Sequence, residues 1–133
     1  MASGGLGWAL PAAVGVALAE RRRVLCLIGD GSAMYSFQAL WTARQHEVPL
    51  TVVVLNNGCY GAMLAFSRLM KTTEPPGVRL PNLAFDALAH AFDVECVSAG
   101  RSGDIYPALQ QALAKVGPSL VNITIDPEGG DVY

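Results

Sequence analysis

The chain has little charge. Lys, Arg, Asp and Glu make up 15% of its 133 residues, and its formal net charge is −2. The nine Lys and Arg residues form no run longer than Arg21-Arg22-Arg23, which we interpret as a helix cap. A broad basic surface for nucleic acid is therefore not expected. Because 52% of the residues are hydrophobic, the chain can instead bury one substantial core.

Cysteine is also scarce, since the chain has only Cys26, Cys59 and Cys96. They have no C-x-x-C spacing, and their odd number argues against a closed disulfide framework. Cys26 and Cys96 lie in apolar stretches, and we interpret them as reduced core residues.

The chain has no apolar run long enough for a membrane span. The most apolar stretch, 4–19, is interrupted by Pro11 and four glycines, and no Lys or Arg precedes it as in a signal peptide. A buried helix is the better interpretation. We therefore expect a cytoplasmic protein that does not contact a membrane.

Short β-rich apolar runs alternate with helical patterns along the chain. This alternation predicts an α/β domain over residues 1–133, with a doubly wound, mainly parallel sheet and helices on both faces. A segment with three prolines, 72–81, predicts a surface loop. The predicted strands are 23–28, 50–55, 94–98 and 119–125, and the predicted helices are 9–20, 32–46, a stretch ending near 70, 83–92 and 102–116.

Two consecutive predicted strands end in polar turns. Asp30 follows the first strand and Asn57 follows the second, and ligands usually bind in the crevice outside the carboxyl ends of such strands. A carboxylate oxygen from Asp30, an amide oxygen from Asn57 and the carbonyl of Cys59 are hard ligands that suit Mg²⁺. The pattern predicts a magnesium site at this edge of the sheet.

The residues around Asp30 add a place for phosphate. Gly29 and Gly31 allow close approach to the backbone, and Ser32 begins the next predicted helix, where free N–H groups favour an anion. Either turn by itself is more often only a tight turn, but together at neighbouring strand ends they are more specific. The chain has no G-x-x-x-x-G-K-[ST] motif, and the glycines at 4–7 lack dinucleotide-binding spacing.

Three stretches of this sequence resemble the thiamine diphosphate enzymes: 29–33 (GDGSA), 39–43 (ALWTA) and 56–62 (NNGCYGA). The opening 2–7 (ASGGLG) and the stretch 39–43 resemble benzoylformate decarboxylases in particular. The resemblance runs through nearly the whole chain, and it is less specific from Val94 onward.

The resemblance implies a thiamine-diphosphate-binding fold and assigns residues to it. Asp30, Asn57 and the Cys59 carbonyl would hold Mg²⁺. The glycine-rich turn would meet the middle of the cofactor, where the carbonyl of Gly4 accepts from the pyrimidine 4′-amino group. The full set of residues expected around the cofactor is Gly4, Gly5, Leu6, Gly29, Gly31, Ser32, Tyr60 and Gly61.

Leu6 would be the apolar wedge that keeps the cofactor bent, so that the 4′-imino nitrogen reaches the thiazolium carbon whose proton it removes. The resemblance also implies that Met63 and Phe66 face the substrate pocket, although core packing is the commoner role for such a pair. His46 and His90 are assigned no catalytic role.

Enzymes of this family complete the site with a pyrimidine-binding domain, commonly from another subunit, which supplies the catalytic glutamate. No segment here resembles that domain, so the resemblance places no catalytic residue in this chain. The family also has at least one strand before the glycine-rich turn. We therefore expect a piece of a longer, homo-oligomeric enzyme, inactive alone.

The reaction implied is decarboxylation of a 2-oxo acid, with thiamine diphosphate and Mg²⁺ as cofactors. Two alternatives stay open: an acetolactate-synthase-like carboligase domain, which shares the metal motif, and a truncated domain that binds or supports structure without catalysing.

Overall fold

Four parallel strands form one sheet in the computed structural model, which describes residues 5–127. The strands lie side by side in the order β1-β2-β4-β3. Their bounds are β1 Val24–Gly29, β2 Leu50–Asn56, β3 Glu95–Ala99 and β4 Ser119–Thr124. The helices are α1 Ala9–Glu20, α2 Asp30–Met34, α3 Ala39–Gln45, α4 Gly61–Leu69, α5 Phe85–Ala91 and α6 Ser102–Leu113.

The central strand β2 explains why the sheet is buried. Residues 50–54 are all buried, because parallel neighbours and helices cover the strand on both sides. In the register, Cys26 lies beside Val52 and Val52 beside Leu120, so apolar side chains stack across three strands. The continuous apolar run in the sequence therefore has a direct structural cause.

Helices cover both faces of the sheet, which confirms the predicted doubly wound α/β class. Helices α1, α3 and α5 share one core with the sheet, in which Leu10, Leu40 and Phe85 are fully buried. On the other face α6 packs on β3 and β4 and buries Ala108 and Ala112. Within residues 5–127 no helix is long and apolar enough to cross a bilayer.

The predicted helix 32–46 is wrong in one respect, because it consists of two helices. The turn between α2 and α3 places Phe37 in the core, with its ring centroid 5.6 Å from that of Phe85 and 6.3 Å from that of Phe92. The chain leaves helical geometry between α2 and α3; Phe37 and Leu40 are both buried, and Ser36 Oγ donates to the carbonyl of Gly7. Tertiary packing therefore overrides the local helical pattern.

The arginine triplet divides its roles. Arg21 ends α1 in a left-handed conformation, with its N–H donating to the carbonyl of Ala17 at 3.1 Å. The Arg23 guanidinium instead donates to Thr51 Oγ1 at 2.9 Å and to the carbonyls of Lys115 and Val116 just beyond α6. The triplet is thus a helix cap, as predicted, and also a link between β1, β2 and α6.

The three cysteines are free thiols. Cys26 is buried and Cys96 half-buried, in agreement with the prediction of reduced core residues. Burial raises the pKa of the Cys26 thiol, and it raises that of Cys96 to about 11. Both side chains are therefore protonated, apolar packing groups at neutral pH.

Candidate functional site

The carboxyl ends of β1 and β2 bring their two polar turns into contact. Asp30 is 2% exposed, and its Oδ1 accepts a hydrogen bond from the N–H of Gly31 at 2.8 Å. Its Oδ2 accepts one from the N–H of Gly58, in the next turn, at 2.7 Å. One carboxylate therefore joins two segments that are 28 residues apart in the chain. Since a carboxylate has about four lone-pair positions, these two bonds leave room for a metal ion.

A cavity of about 510 Å³ opens beside this carboxylate. Ten of the predicted site residues share its lining, although they come from three separate stretches of the chain. None of the residues that line the cavity is Lys, Arg or His. The lining consists of Leu6, Gly29, Asp30, Gly31, Ser32, Leu55, Asn57, Cys59, Tyr60, Gly61, Ala62, Met63 and Ile125.

The second turn is shaped by Asn57, Gly58 and Cys59. Asn57 Oδ1 accepts the N–H of Cys59 at 3.2 Å, and Gly58 has a φ of 67°, a conformation that favours glycine. Cys59 also forms an antiparallel bridge with Arg79. The hydrogen bonds of that bridge use the carbonyl of Gly58 and the amide of Tyr60, so the Cys59 carbonyl is not one of its acceptors. The predicted backbone ligand is therefore not used by this bridge.

Tyr60 closes one side of the cavity against the first turn. Burial raises the pKa of its phenol, and a hydrogen bond with Tyr35 and the nearby Asp30 carboxylate raise it further. The hydroxyl is therefore neutral at physiological pH. A Cβ added to Gly31 would lie 2.5 Å from Tyr60 Cε1, which is too close for any side chain there.

The other glycines of the site have different surroundings. A Cβ on Gly29 would meet no atom within 4 Å, so it would project into open space at the cavity wall. A Cβ on Gly61 would lie 3.0 Å from Asn57 Nδ2. Gly29 thus has open space at its Cβ position, whereas Gly31 and Gly61 allow close packing of the cavity walls.

The glycine-rich turn reaches the cavity through Leu6, whose side chain is half exposed beside it. The N–H of Gly7 donates to Ser32 Oγ at 3.1 Å, which ties this turn to the Asp30 turn. Gly5 is exposed and does not belong to the lining. Gly4, the predicted acceptor for the pyrimidine amine, lies outside the described residues.

The structure separates the two predicted substrate-pocket residues. Met63 lines the cavity from the first turn of α4. Phe66 is 56% exposed and is not part of the lining. Neither is in the main core, so the alternative of ordinary core packing does not describe them. His46 and His90 lie away from the cavity.

Sequence reasoning missed three lining residues, Leu55, Ala62 and Ile125. Leu55 and Ile125 come at the carboxyl ends of β2 and β4, so the rule that located Asp30 and Asn57 applies to them too. It also missed that the loop 72–81 returns to the site: Val78 is buried, and the N–H of Leu80 donates to the carbonyl of Gly58 at 2.7 Å. The alternation of Val78 and Leu80 was the available signal.

The donors assembled here suit a hard cation that also binds phosphate. Residues 5–127 contain no group of three His, Cys, Asp or Glu side chains that could hold a metal. The donors are instead one carboxylate, one amide and a backbone carbonyl, which leave several positions for phosphate oxygens and water, as Mg²⁺ requires. Burial, with the Asp30 carboxylate adding to it, raises the pKa of the Cys59 thiol.

Comparison with known proteins gives one family. The family described as "Thiamine pyrophosphate enzyme, C-terminal TPP binding domain" matches residues 1–123. The chain is 44% identical over 130 residues to benzoylformate decarboxylase of Pseudomonas aeruginosa, covering 95% of this chain and 25% of that protein. It is 32% identical over 137 residues to acetolactate synthase isozyme 1 large subunit of Escherichia coli, covering 96% of this chain and 24% of that protein.

A solved structure has the same fold. Superposition on a thiamine diphosphate-dependent 4-hydroxybenzoylformate decarboxylase of Rhodococcus jostii RHA1 gives a TM-score of 0.89, with 44% sequence identity. The match covers 94% of this chain and 24% of that one. The chain thus spans about a quarter of the length of the relatives it matches.

Proposed function

Since the chain belongs to the thiamine pyrophosphate enzymes, as the C-terminal TPP binding domain of one, we propose that it holds the diphosphate end of thiamine diphosphate through Mg²⁺. The observation that carries this proposal is the charge pattern of the 510 Å³ cavity. A diphosphate is anionic, Asp30 adds a buried negative charge, and the lining has no basic side chain. In such a site a divalent cation must lie between the like charges.

Three groups of this chain are assigned to the metal. Asp30 supplies a carboxylate oxygen from a side chain that two backbone N–H groups already hold in place. Asn57 supplies its amide oxygen, and Cys59 supplies its carbonyl. Because the three groups come from two turns joined through Asp30, the metal would find them largely preformed.

Small residues and hydroxyls make room for the diphosphate. Gly29 leaves open space at the wall, and Gly31 lets the Tyr60 ring approach. The Ser32 oxygen accepts the N–H of Gly7, so its own proton is available to a phosphate oxygen. Tyr60 and Gly61 complete this side of the cavity.

The opposite end of the cavity is assigned to the organic part of the cofactor. Leu6 supports it as an apolar wedge, and Gly4 and Gly5 present backbone groups to the pyrimidine. Met63 lies beside the place where substrate would enter. When bound, thiamine diphosphate supplies the electron sink for loss of CO₂ from a 2-oxo acid.

The whole protein is proposed to be a benzoylformate-decarboxylase-like carboxy-lyase of the cytoplasm, in which a pyrimidine-binding domain from the same or another subunit completes the site. Within residues 5–127, Asp30 is the only carboxylate in the cavity lining, and both of its oxygens already accept hydrogen bonds from the two turns. We expect no decarboxylation by these 133 residues alone, and an assay of the isolated chain with benzoylformate checks this.

Calorimetry tests the metal assignment. Thiamine diphosphate is titrated into the protein with and without Mg²⁺, and binding is expected only with both. Asp30→Asn keeps the size of the side chain but removes its charge, so we expect the Mg²⁺-dependent binding to weaken at least about a hundredfold, or about 2.7 kcal/mol. Asp104→Asn, an exposed carboxylate in the first turn of α6, is the matched control. Undiminished Mg²⁺-dependent binding in Asp30→Asn contradicts the metal assignment.

The same protein distinguishes a binding domain from one with a purely structural role. A ligand at 100 times its dissociation constant stabilises the folded state by about 2.7 kcal/mol. The melting temperature should therefore rise by several degrees when thiamine diphosphate and Mg²⁺ are added together. An unchanged melting temperature at saturating concentration would favour the structural role.

Carboligation is the second candidate reaction, because the chain is also similar to an acetolactate synthase subunit. Product analysis of the full-length enzyme separates the two. Benzaldehyde from benzoylformate is expected. Acetolactate from pyruvate, without benzaldehyde from benzoylformate, would overturn the decarboxylase assignment.

A further inference from the structure

Two serine hydroxyls hold the peptide groups on either side of Gly7. Ser36 Oγ donates to the carbonyl of Gly7 at 2.6 Å, and the N–H of Gly7 donates to Ser32 Oγ at 3.1 Å. Both serines belong to the segment that follows Asp30, 25 and 29 residues away from Gly7 in the chain. The glycine-rich turn is thus held by the same segment that carries the Asp30 turn.

The backbone of Gly7 leaves this arrangement little freedom. Its φ is 79°, in the region that favours glycine, and a Cβ there would lie 2.6 Å from the Cβ of Tyr35. Tyr35 is the neighbour of Ser36 and also hydrogen-bonds to Tyr60 on the other side of the site. Contact on one side and two hydrogen bonds on the other therefore fix the turn.

The N–H and carbonyl of Gly7 belong to the two peptide units that flank it, and the first of these is joined to Leu6. Fixing both units sets the direction in which Leu6 enters the cavity. We propose that Ser36 is a positioning residue, which holds the glycine-rich turn so that Leu6 and the backbone before it meet the organic part of the cofactor. This inference rests on the function proposed above.

Ser36 can be separated from the rest of the site. Ser32 lines the cavity itself, so its replacement would remove a direct contact as well as the bond to Gly7. Ser36 is half-buried and does not line the cavity, and its hydroxyl donates to the glycine-rich turn. Its loss should therefore affect the Leu6 end of the site and leave the Asp30 end unchanged.

The test compares two ligands in the full-length protein, purified without cofactor. Inorganic pyrophosphate with Mg²⁺ probes only the Asp30 end, whereas thiamine diphosphate with Mg²⁺ probes both ends. In Ser36→Ala the affinity for thiamine diphosphate should fall about three- to tenfold, the effect of one lost hydrogen bond, with pyrophosphate affinity unchanged. The near-ultraviolet circular dichroism of the bound cofactor should also weaken, because its rings are held less rigidly.

Two further variants separate the effect of the hydroxyl's hydrogen bond from the effect of the side chain's shape. Ser36→Thr keeps the hydroxyl donor. Ser36→Val has nearly the same shape as Ser36→Thr, with a methyl group in place of the hydroxyl, so thiamine diphosphate should bind more tightly to the threonine variant. Ser67→Ala is the matched control, since Ser67 is a buried hydroxyl that donates to the carbonyl of Leu64 within its own helix at 2.8 Å. It should bind both ligands as the wild type does.

Two results would overturn the inference. In one, the Ser36→Ala and Ser36→Val variants bind thiamine diphosphate as tightly as the wild type. In the other, they lose affinity for pyrophosphate and for thiamine diphosphate equally, which indicates a general structural role. Failure of the proposed function has a different signature, because the wild type itself would then bind neither ligand.

Discussion

At the residue scale, two glycines of the same motif are required for opposite reasons. Gly29 faces open space, and Gly31 faces the ring of Tyr60. The sequence G-D-G predicts only that the backbone closely approaches another group, either a ligand or another part of the protein. Which glycine adjoins ligand space and which adjoins protein depends on Tyr60, which is 29 residues further along the chain.

Alanine substitutions should separate these two roles. In Gly29→Ala the backbone, at φ −75° and ψ 154°, accepts the new residue, so the free energy of unfolding should change by less than about 0.5 kcal/mol. The methyl group enters the cavity, and the affinity for Mg²⁺-pyrophosphate should fall about tenfold, or about 1.4 kcal/mol. Urea unfolding and calorimetry measure the two effects.

Gly31→Ala should instead lower both quantities. The new Cβ displaces the Tyr60 ring and weakens its bond with Tyr35, at a cost of about 1–3 kcal/mol in stability. Gly103→Ala is the control, because a Cβ at this exposed position in α6 meets nothing within 4 Å. If Gly29→Ala binds pyrophosphate normally, the diphosphate does not lie against Gly29.

How far the sequence predicts the site depends on whether a contact is local. Asp30 and Asn57 each follow an apolar strand, and the geometry of parallel sheets brings such positions together. No comparable sequence pattern identifies Ser36 or Ile125 as residues near the site. Ser36 meets Gly7 only because the chain bends after α2, and Ile125 reaches the cavity only because β4 lies next to β2.

At the element scale, the split of the predicted helix 32–46 into α2 and α3 shows where periodicity fails. Phe37 and Leu40 have helical spacing, and both are buried, so the pattern gives no sign of a break. The break is visible only in the contacts these residues make. Phe37 packs against Phe85 of α5 and against Phe92, which follows α5, and Ser36 donates to Gly7. The other helices and strands follow from the local sequence pattern, and their predicted bounds agree with the structure to within a few residues.

The amino-terminal edge of the sheet has its own polar link, centred on Arg23. Its guanidinium donates to Thr51 Oγ1 and to two carbonyls just beyond α6, and Thr51 Oγ1 lies 3.1 Å from Ser119 Oγ. Arg23→Met keeps most of the side-chain length but removes these donors. We expect the free energy of unfolding to fall by about 1–3 kcal/mol, measured by urea denaturation, since hydrogen bonds from a charged group are the stronger kind.

Arg22→Met is the matched control within the same triplet. Its guanidinium is largely exposed and lies 3.7 Å from Glu20, a pair that contributes little to stability. It should change the free energy of unfolding by less than about 0.5 kcal/mol. Equal effects of the two substitutions would mean that the loss of one surface charge, and not the link to α6, explains the Arg23 result.

At the scale of the whole molecule, the alternation of strands and helices is enough to predict a parallel sheet with helices on both faces. The order β1-β2-β4-β3 is not predictable in the same way. The strand order depends on how the apolar side chains of the strands pack together. Val53 of β2 lies beside Val121 of β4 because β4 lies between β2 and β3. Membership of the thiamine pyrophosphate enzymes rests on motifs, whereas this order rests on packing.

The edge strand β1 has one face that nothing covers within residues 5–127. Leu27 lies beside Val53, on the face that α6 covers elsewhere, but α6 packs on β3 and β4. Leu25 and Leu27 are 56% and 62% exposed, and they continue into an apolar groove of about 300 Å³ beside Val16. An apolar face on an edge strand is a surface on which chains associate.

The 133-residue domain in isolation should therefore self-associate as its concentration rises, and the double substitution Leu25→Lys and Leu27→Lys should suppress this. Both lysines project into solvent on the strand's exposed face, so the far-ultraviolet circular dichroism should stay that of the wild type. Tyr106→Lys is the control: Tyr106 is 69% exposed in α6, which packs on β3 and β4 and not on the edge strand β1, so exposure alone is tested. Sedimentation velocity measures the association. If the double variant associates as strongly as the wild type, the contact lies elsewhere, and the exposed side chains of Phe66 in α4 and Met70 just after it are the next to substitute.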